Sequence, residues 1–142
     1  MKFSELDHNG WAELQLYLDT CLLPVTGLTG LESPPEATDK AAKAGEWLSP
    51  LESAFRGRTV TLPAYHYYDA EDEEERRKLE RYCERVKSTG FRYLAIVSGE
   101  SGWNGADYPS ADLIVAPANE GEAPDPEAIR AAVTSLWKKE IK

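Results

Sequence analysis

Phe91-Arg92-Tyr93-Leu94-Ala95-Ile96-Val97 runs straight into Ser98-Gly99-Glu100-Ser101-Gly102-Trp103-Asn104. The first half is a short, mostly apolar run of the kind that forms a strand covered on both faces, as in parallel sheets. The second half is polar and punctuated by glycine, which reads as a loop. Open α/β sheets place their ligands just outside the carboxyl ends of such strands. The junction therefore points to a fold class and to the position of a site.

Strands and helices alternate around it. Thr20-Cys21-Leu22-Leu23-Pro24-Val25 is another buried-type run, with Pro24 expected near its end because proline cannot donate to a ladder. Arg58-Thr59-Val60-Thr61-Leu62, closed by Pro63, and Leu113-Ile114-Val115-Ala116 are the other two strands. Trp11, Leu14, Tyr17 and Leu18 recur at helical spacing, which predicts a first helix over residues 10–18 capped by Asp7 or Asn9. Thr26 to Pro35 reads as a loop. Ala41, Ala44, Trp47 and Leu48 mark a second helix that starts near Thr38 or Asp39. Ser49-Pro50-Leu51-Glu52 has the form of a fresh helix start, so a bend or break at Pro50 is expected. A third helix opens in the acidic stretch Asp69 to Glu75, buries Leu79, Tyr82, Cys83 and Val86, and stops at Gly90. The last begins at Asp125-Pro126-Glu127 and buries Ile129, Val133, Leu136 and Trp137, with Lys138, Lys139 and Lys142 suiting its end.

Such alternation implies parallel pairing through crossovers. The predicted fold is α/β: a three-layer Rossmann-like sandwich with a mostly parallel four-stranded sheet flanked by helices, in a single domain over residues 1–142. The irregular link between the last two strands leaves the direction of the fourth open.

Composition narrows the partners. The chain carries 25 acidic against 16 basic residues, a net charge of −9. Such a surface repels nucleic-acid phosphates and anionic lipids, so neither nucleic acid nor membrane is expected as a partner. The opening Met1-Lys2-Phe3-Ser4-Glu5-Leu6-Asp7 has no hydrophobic signal region, and a cytoplasmic location is expected. Cys21 and Cys83 are too far apart in sequence and too few for a zinc site or disulfide framework, and read as buried reduced thiols.

The strand ends gather the candidate chemistry. The expected ligand-binding set is Thr26, Gly27 and Thr29 after the first strand, His66 after the second, and Ser98, Glu100, Ser101 and Asn104 after the third. Thr26-Gly27-Leu28-Thr29-Gly30 either cradles an anion or is a plain turn, since it lacks the spacing and lysine of a P-loop. His66, among Tyr65, Tyr67 and Tyr68, is either an acid–base or metal-binding group or a hydrogen-bonded packing residue. Glu100 is either a base or cation ligand, or a cap. Gly99-Glu100-Ser101-Gly102 is not a nucleophile elbow. Asn119 and Glu120 join the set if the fourth strand is parallel.

Two resemblances attach to these residues. Phe3-Ser4-Glu5-Leu6-Asp7, the strand from Asp19 to Val25 and the segment Arg58 to Tyr67 resemble the YpiF-like family of small uncharacterised bacterial proteins. That likeness implies no activity. Leu23-Pro24-Val25, then Ala37-Thr38-Asp39, Leu62-Pro63-Ala64-Tyr65, Gly90-Phe91-Arg92 and Val97 to Gly102 are similar in order to creatininase-type amidohydrolases. Those enzymes bind paired divalent metals through a glutamate, histidines and an aspartate. The resemblance sets Asp39 at the metal-binding aspartate and Glu100 where the family has a loop histidine. The family's Glu-Gln-His-Gly loop has no counterpart, for Thr26 to Pro35 contains no histidine. Asp39 and Glu100 alone suit a weakly bound hard divalent cation, and no other cofactor is implied.

The leading expectation is a non-catalytic or degenerate relative of these hydrolases that binds a small molecule or protein partner at the strand ends. The alternative is a divalent-metal-dependent amidohydrolase acting on a carbon–nitrogen bond, with Asp39 and Glu100 as ligands and His66 as acid or base. A third reading is an assembly protein anchored by exposed tryptophans among Trp11, Trp47, Trp103 and Trp137. The sequence leaves the oligomeric state open.

Overall fold

β1 (Thr20–Leu28) is the strand around which the others are arranged. The protein is seen here as a computed structural model that describes residues 1–139; Lys142 lies outside the described residues. In chain order the elements are α1 (His8–Leu14), β1, α2 (Pro34–Ala54), β2 (Thr59–Thr61), β3 (Tyr65–Tyr67), α3 (Glu73–Ser88), β4 (Tyr93–Ser98), β5 (Leu113–Val115) and α4 (Pro126–Lys138), with 3-10 turns at Phe3–Glu5 and Gly105–Asp107. The sheet is 5-stranded, in the order β2-β1-β4-β5, with β3 also on β1. Every strand pairing in it is parallel, β5 on β4 included.

Two cores follow from the period-2 alternation of strand side chains. Cys21, Leu23, Val25, Leu94 and Ile96 pack with Leu79 and Cys83 of α3, and with Tyr68 and Tyr108. Leu22, Ala95, Val97 and Val115 face the other way, onto Trp47, Leu48 and Leu51 of α2 and Ile129 and Val133 of α4. The sheet is thus the middle of three layers. Each fully buried Leu, Ile or Val stabilises the fold by roughly 1.5–3 kcal/mol. No described helix is long and apolar enough to cross a membrane.

Pro24 lies in the middle of β1, not near its end as expected. The hydrogen bonds explain why it is tolerated. Thr20 N donates to Arg58 O (3.3 Å) and Leu22 O accepts from Leu62 N (2.9 Å). Even-numbered residues of β1 therefore point their backbone groups toward β2, and Pro24 points that way too. It does so where β2 has ended at Thr61 and β3 has not begun at Tyr65. The missing donor falls at the gap between two edge strands.

Five further expectations are corrected. The first helix is His8–Leu14, capped by Asp7 accepting from Gly10 N (2.6 Å), and Leu16 and Tyr17 beyond it are exposed. Thr26, Gly27 and Leu28 belong to β1 and not to a loop. α2 starts at Pro34, before Thr38 and Asp39, because Ser33 and Glu36 form a reciprocal capping box with proline in the first turn. The helix also runs unbroken through Pro50: Leu48, Pro50 and Leu51 are buried on the sheet, and that packing outweighs the roughly 3 kcal/mol a mid-helix proline costs. The fifth strand, β3, stands where the sequence suggested only an exit.

The opposite end of the sheet is braced. Arg58 Nε and Nη2 bond Asp19 Oδ1 (2.9 Å) and Oδ2 (3.1 Å), and its guanidinium lies 4.1 Å over the Trp137 ring. This fork and stack close the amino-terminal edge. No tryptophan is among the exposed large hydrophobics, which are Phe3, Leu16, Tyr17, Leu31 and Tyr67.

The core carries a pH signature. Burial pushes the Cys21 and Cys83 thiols, both free, up to about 12, and the Tyr108 phenol likewise to about 12. In the unfolded chain these groups ionise near ~8.5 and ~10. The folded state therefore holds protons that the unfolded state releases. That stabilisation is complete below about pH 8.5 and is lost as pH rises toward 12. The urea midpoint should fall steadily above about pH 9, less steeply in Cys83→Ala; a flat midpoint in the native chain would contradict this.

Candidate functional site

The order β2-β1-β4-β5 contains a reversal. The chain leaves β1 through α2 to reach β2 on one side. It then returns through α3 to β4 on the other side. α2, which follows β1, covers one face, while the segment that follows β4 carries Tyr108 into the core on the other face, with α3, so the segments leaving β1 and β4 part from each other. That is the switch point at which open α/β sheets form a crevice.

A cavity of about 210 Å³ lies there. β1 and its turn contribute Gly27 and Thr29, and α2 contributes Lys40. The segment after β3 contributes Tyr68, Asp69 and Glu71, and the end of β4 with its loop supplies Ser98, Glu100, Ser101 and Trp103. A larger groove, about 550 Å³, runs beside the edge strand β5. Its carboxylate, Asp112, is already committed, accepting from Leu94 N (2.8 Å) and Lys87 Nζ (2.8 Å). The smaller cavity is the one that combines free polar groups with the switch point.

Close backbone approaches set its shape. Gly27 has φ +76°, and a Cβ there would stand 3.3 Å from Glu100 Cγ. It sits in the bulge that shifts the β1–β3 register between Val25↔Tyr65 and Leu28↔Tyr67. Gly99 is tighter. A Cβ there would lie 2.6 Å from Lys43 Cβ and 2.8 Å from the Lys43 carbonyl carbon. The end of β4 is therefore pressed onto the backbone of α2.

Glu100 is held by its backbone. Its amide donates to the buried Ser98 hydroxyl (3.1 Å), and its carbonyl accepts from Trp103 Nε1 (3.0 Å). Trp103 stacks on Tyr68 (5.3 Å, 10°) and lies against Tyr108 (5.2 Å), and those tyrosine hydroxyls bond each other. The Glu100 carboxylate is half-buried and makes no ion pair among the described residues.

Lys40 is already engaged. Its ammonium donates to Gly27 O (3.1 Å) and to Glu32 Oε2 (2.8 Å). That ammonium, aided by the Thr29 hydroxyl and amide, holds the Glu32 carboxyl down at about 2.

The structure brings Gly27, Thr29, Ser98, Glu100 and Ser101 of the expected set together around one cavity. Thr26 is buried behind it, within 3.0 Å of His66 Nδ1. His66 itself stands exposed on β3 and is not part of the lining. Asn104 caps the Gly105–Asp107 turn by accepting from Ala106 N (3.1 Å). Asp39 is exposed on α2, and Asn119 and Glu120 are exposed beyond β5. Among the described residues, no group of three or more His, Cys, Asp or Glu is placed to hold a metal ion. The sequence reading missed Lys40, Tyr68, Asp69, Glu71 and Trp103. Trp103 stands in the loop expected to form the site, and Lys40 lies one residue after Asp39 on the same helix.

A family model described as "Protein of unknown function (DUF2487)" matches residues 10–141. This agrees with the expectation of an uncharacterised family and carries no tie to the YpiF-like name or to creatininase-type enzymes. No curated protein and no solved structure matches the chain.

Proposed function

We propose that this chain, which belongs to the DUF2487 family, binds a small molecule in the cavity between the carboxyl ends of β1 and β4. One observation carries the reading: at the reversal in strand order, a carboxylate without an ion pair among the described residues, a clamped indole and the close-packed Gly27 converge on one cavity. Ligand sites combine an apolar wall with a few fixed polar groups, and Trp103 with Tyr68 beside Glu100, Ser101 and Thr29 meets that description. We read the likeness to creatininase-type enzymes as one of site position and not of chemistry, and the YpiF-like likeness as one of general pattern that implies no activity. Metal-assisted hydrolysis needs several ligands and an acid–base group in one place. Asp39 and His66, which would serve beside Glu100, do not line the cavity.

Thermal shift across a panel of amines, amino acids, carboxylic acids and nucleosides tests this. A ligand at 100 times its Kd stabilises by about 2.7 kcal/mol, which at this chain length raises Tm by roughly 8 °C. The shift should shrink in Glu100→Gln and survive in Asp39→Asn. A shift with zinc, manganese or magnesium that Asp39→Asn removes would favour the hydrolase instead.

A further inference from the structure

We infer that the turn after β1 is a carboxylate-binding cradle, closed in the resting molecule by the chain's own Glu32, and that a ligand carboxylate entering the cavity takes Glu32's place. The inference rests on the cavity being a ligand site. Glu32 Oε1 accepts from Thr29 N (3.0 Å) and Gly30 N (3.0 Å). Oε2 accepts from Thr29 N (3.1 Å), the Thr29 hydroxyl (2.9 Å) and the Lys40 ammonium (2.8 Å). Consecutive amides, a hydroxyl and an ammonium aimed at one point form an anion-binding concavity. Here the anion is a side chain from the same turn. Its side chain is only 9% exposed although its neighbour Leu31 is 91% exposed.

The cradle opens on the cavity, since Thr29 and Lys40 are members of both. Glu32 does not itself line the cavity; it is bonded to Thr29 and Lys40, which do. An internal carboxylate competes at an effective concentration on the order of millimolar or more. A simple acid with no other contact is therefore kept out. A ligand whose body also meets Trp103 or Glu100 can exchange with it. The ligand class that fits is a small carboxylic acid with an aromatic or cationic body.

Acetate is the probe, with chloride at equal ionic strength as control, read from the backbone amide signals of Thr29 and Gly30. The native chain should show no saturable acetate response at a few millimolar, the concentration scale of the internal competitor. Glu32→Ala should bind acetate at least about tenfold more tightly, the loss of one charge-assisted hydrogen-bond set. Adding Lys40→Ala to that variant should abolish the response. Glu32→Gln keeps the shape of the turn and should fall between the two, and it stands as the readout if Glu32→Ala does not fold. Equal responses to acetate and chloride, or a folded variant that responds no more than the native chain, would overturn the cradle and leave Glu32 as a loop staple. The metabolite panel with Glu100→Gln does not alter Glu32, so failure of the cavity and failure of the cradle are separately visible.

Discussion

Gly99→Ala should destabilise the protein by about 2–3 kcal/mol, near the upper end for overpacked sites, and lower Tm by roughly 8 °C at this chain length. The added methyl would stand 2.6 Å from Lys43 Cβ and 2.8 Å from its carbonyl carbon. The obstacle includes backbone, so it cannot swing aside, and β4 must lift from α2. Ser98 and Glu100 move with it, so ligand binding should weaken as well. Gly45→Ala is the matched control. It lies in the same helix with nothing within 4 Å of its would-be Cβ. There alanine should stabilise by up to about 1 kcal/mol through helix propensity. Thermal and urea melts of the two variants should move in opposite directions. Equal shifts would mean that the β4–α2 approach is not tight.

Leu23→Ala should cost about 3 kcal/mol, within the range for buried leucines. Leu23 is fully buried in the centre of β1 and packs in the cluster that includes Leu79 and Cys83 of α3. The sheet cannot collapse around the void, because Leu22 on the other face is equally buried. Leu31→Ala removes the same atoms from a side chain that is 91% exposed and should change stability by less than about 0.5 kcal/mol. A urea series on both variants separates the two cases. A Leu23→Ala loss below about 1 kcal/mol would contradict the core described above.

The sheet was legible where burial on two faces leaves a continuous apolar run, as in β1 and β4. β3 was not. Tyr65-His66-Tyr67 has no such run, and it forms a strand only because β1 extends past Pro24 and accepts it in a shifted register. The start of α2 was written in Ser33-Pro34-Pro35-Glu36, yet prolines there read as loop punctuation. The identical logic at Ser49-Pro50 predicted a break that buried packing removes. The site divides in the same way. Its β4 half could be read from a strand running into a polar turn. The contribution of α2 could not: neighbours on a helix point about 100° apart, so a likeness that selects Asp39 misses Lys40, the residue that reaches the cavity. Asp69 and Glu71 arrive through the chain's return after β3, which no local pattern records.

The proposed meeting place of this protein and its ligand is the crevice between β1 and β4. Backbone amide spectra recorded against a library of small acids, amines and nucleosides test it most directly. Binding at the switch point predicts that responsive signals cluster on Gly27, Thr29 and Ser98 to Trp103. Shifts confined to the groove lined by Phe3, Leu6, Trp11 and Phe91, or to the edge of β5, would contradict it.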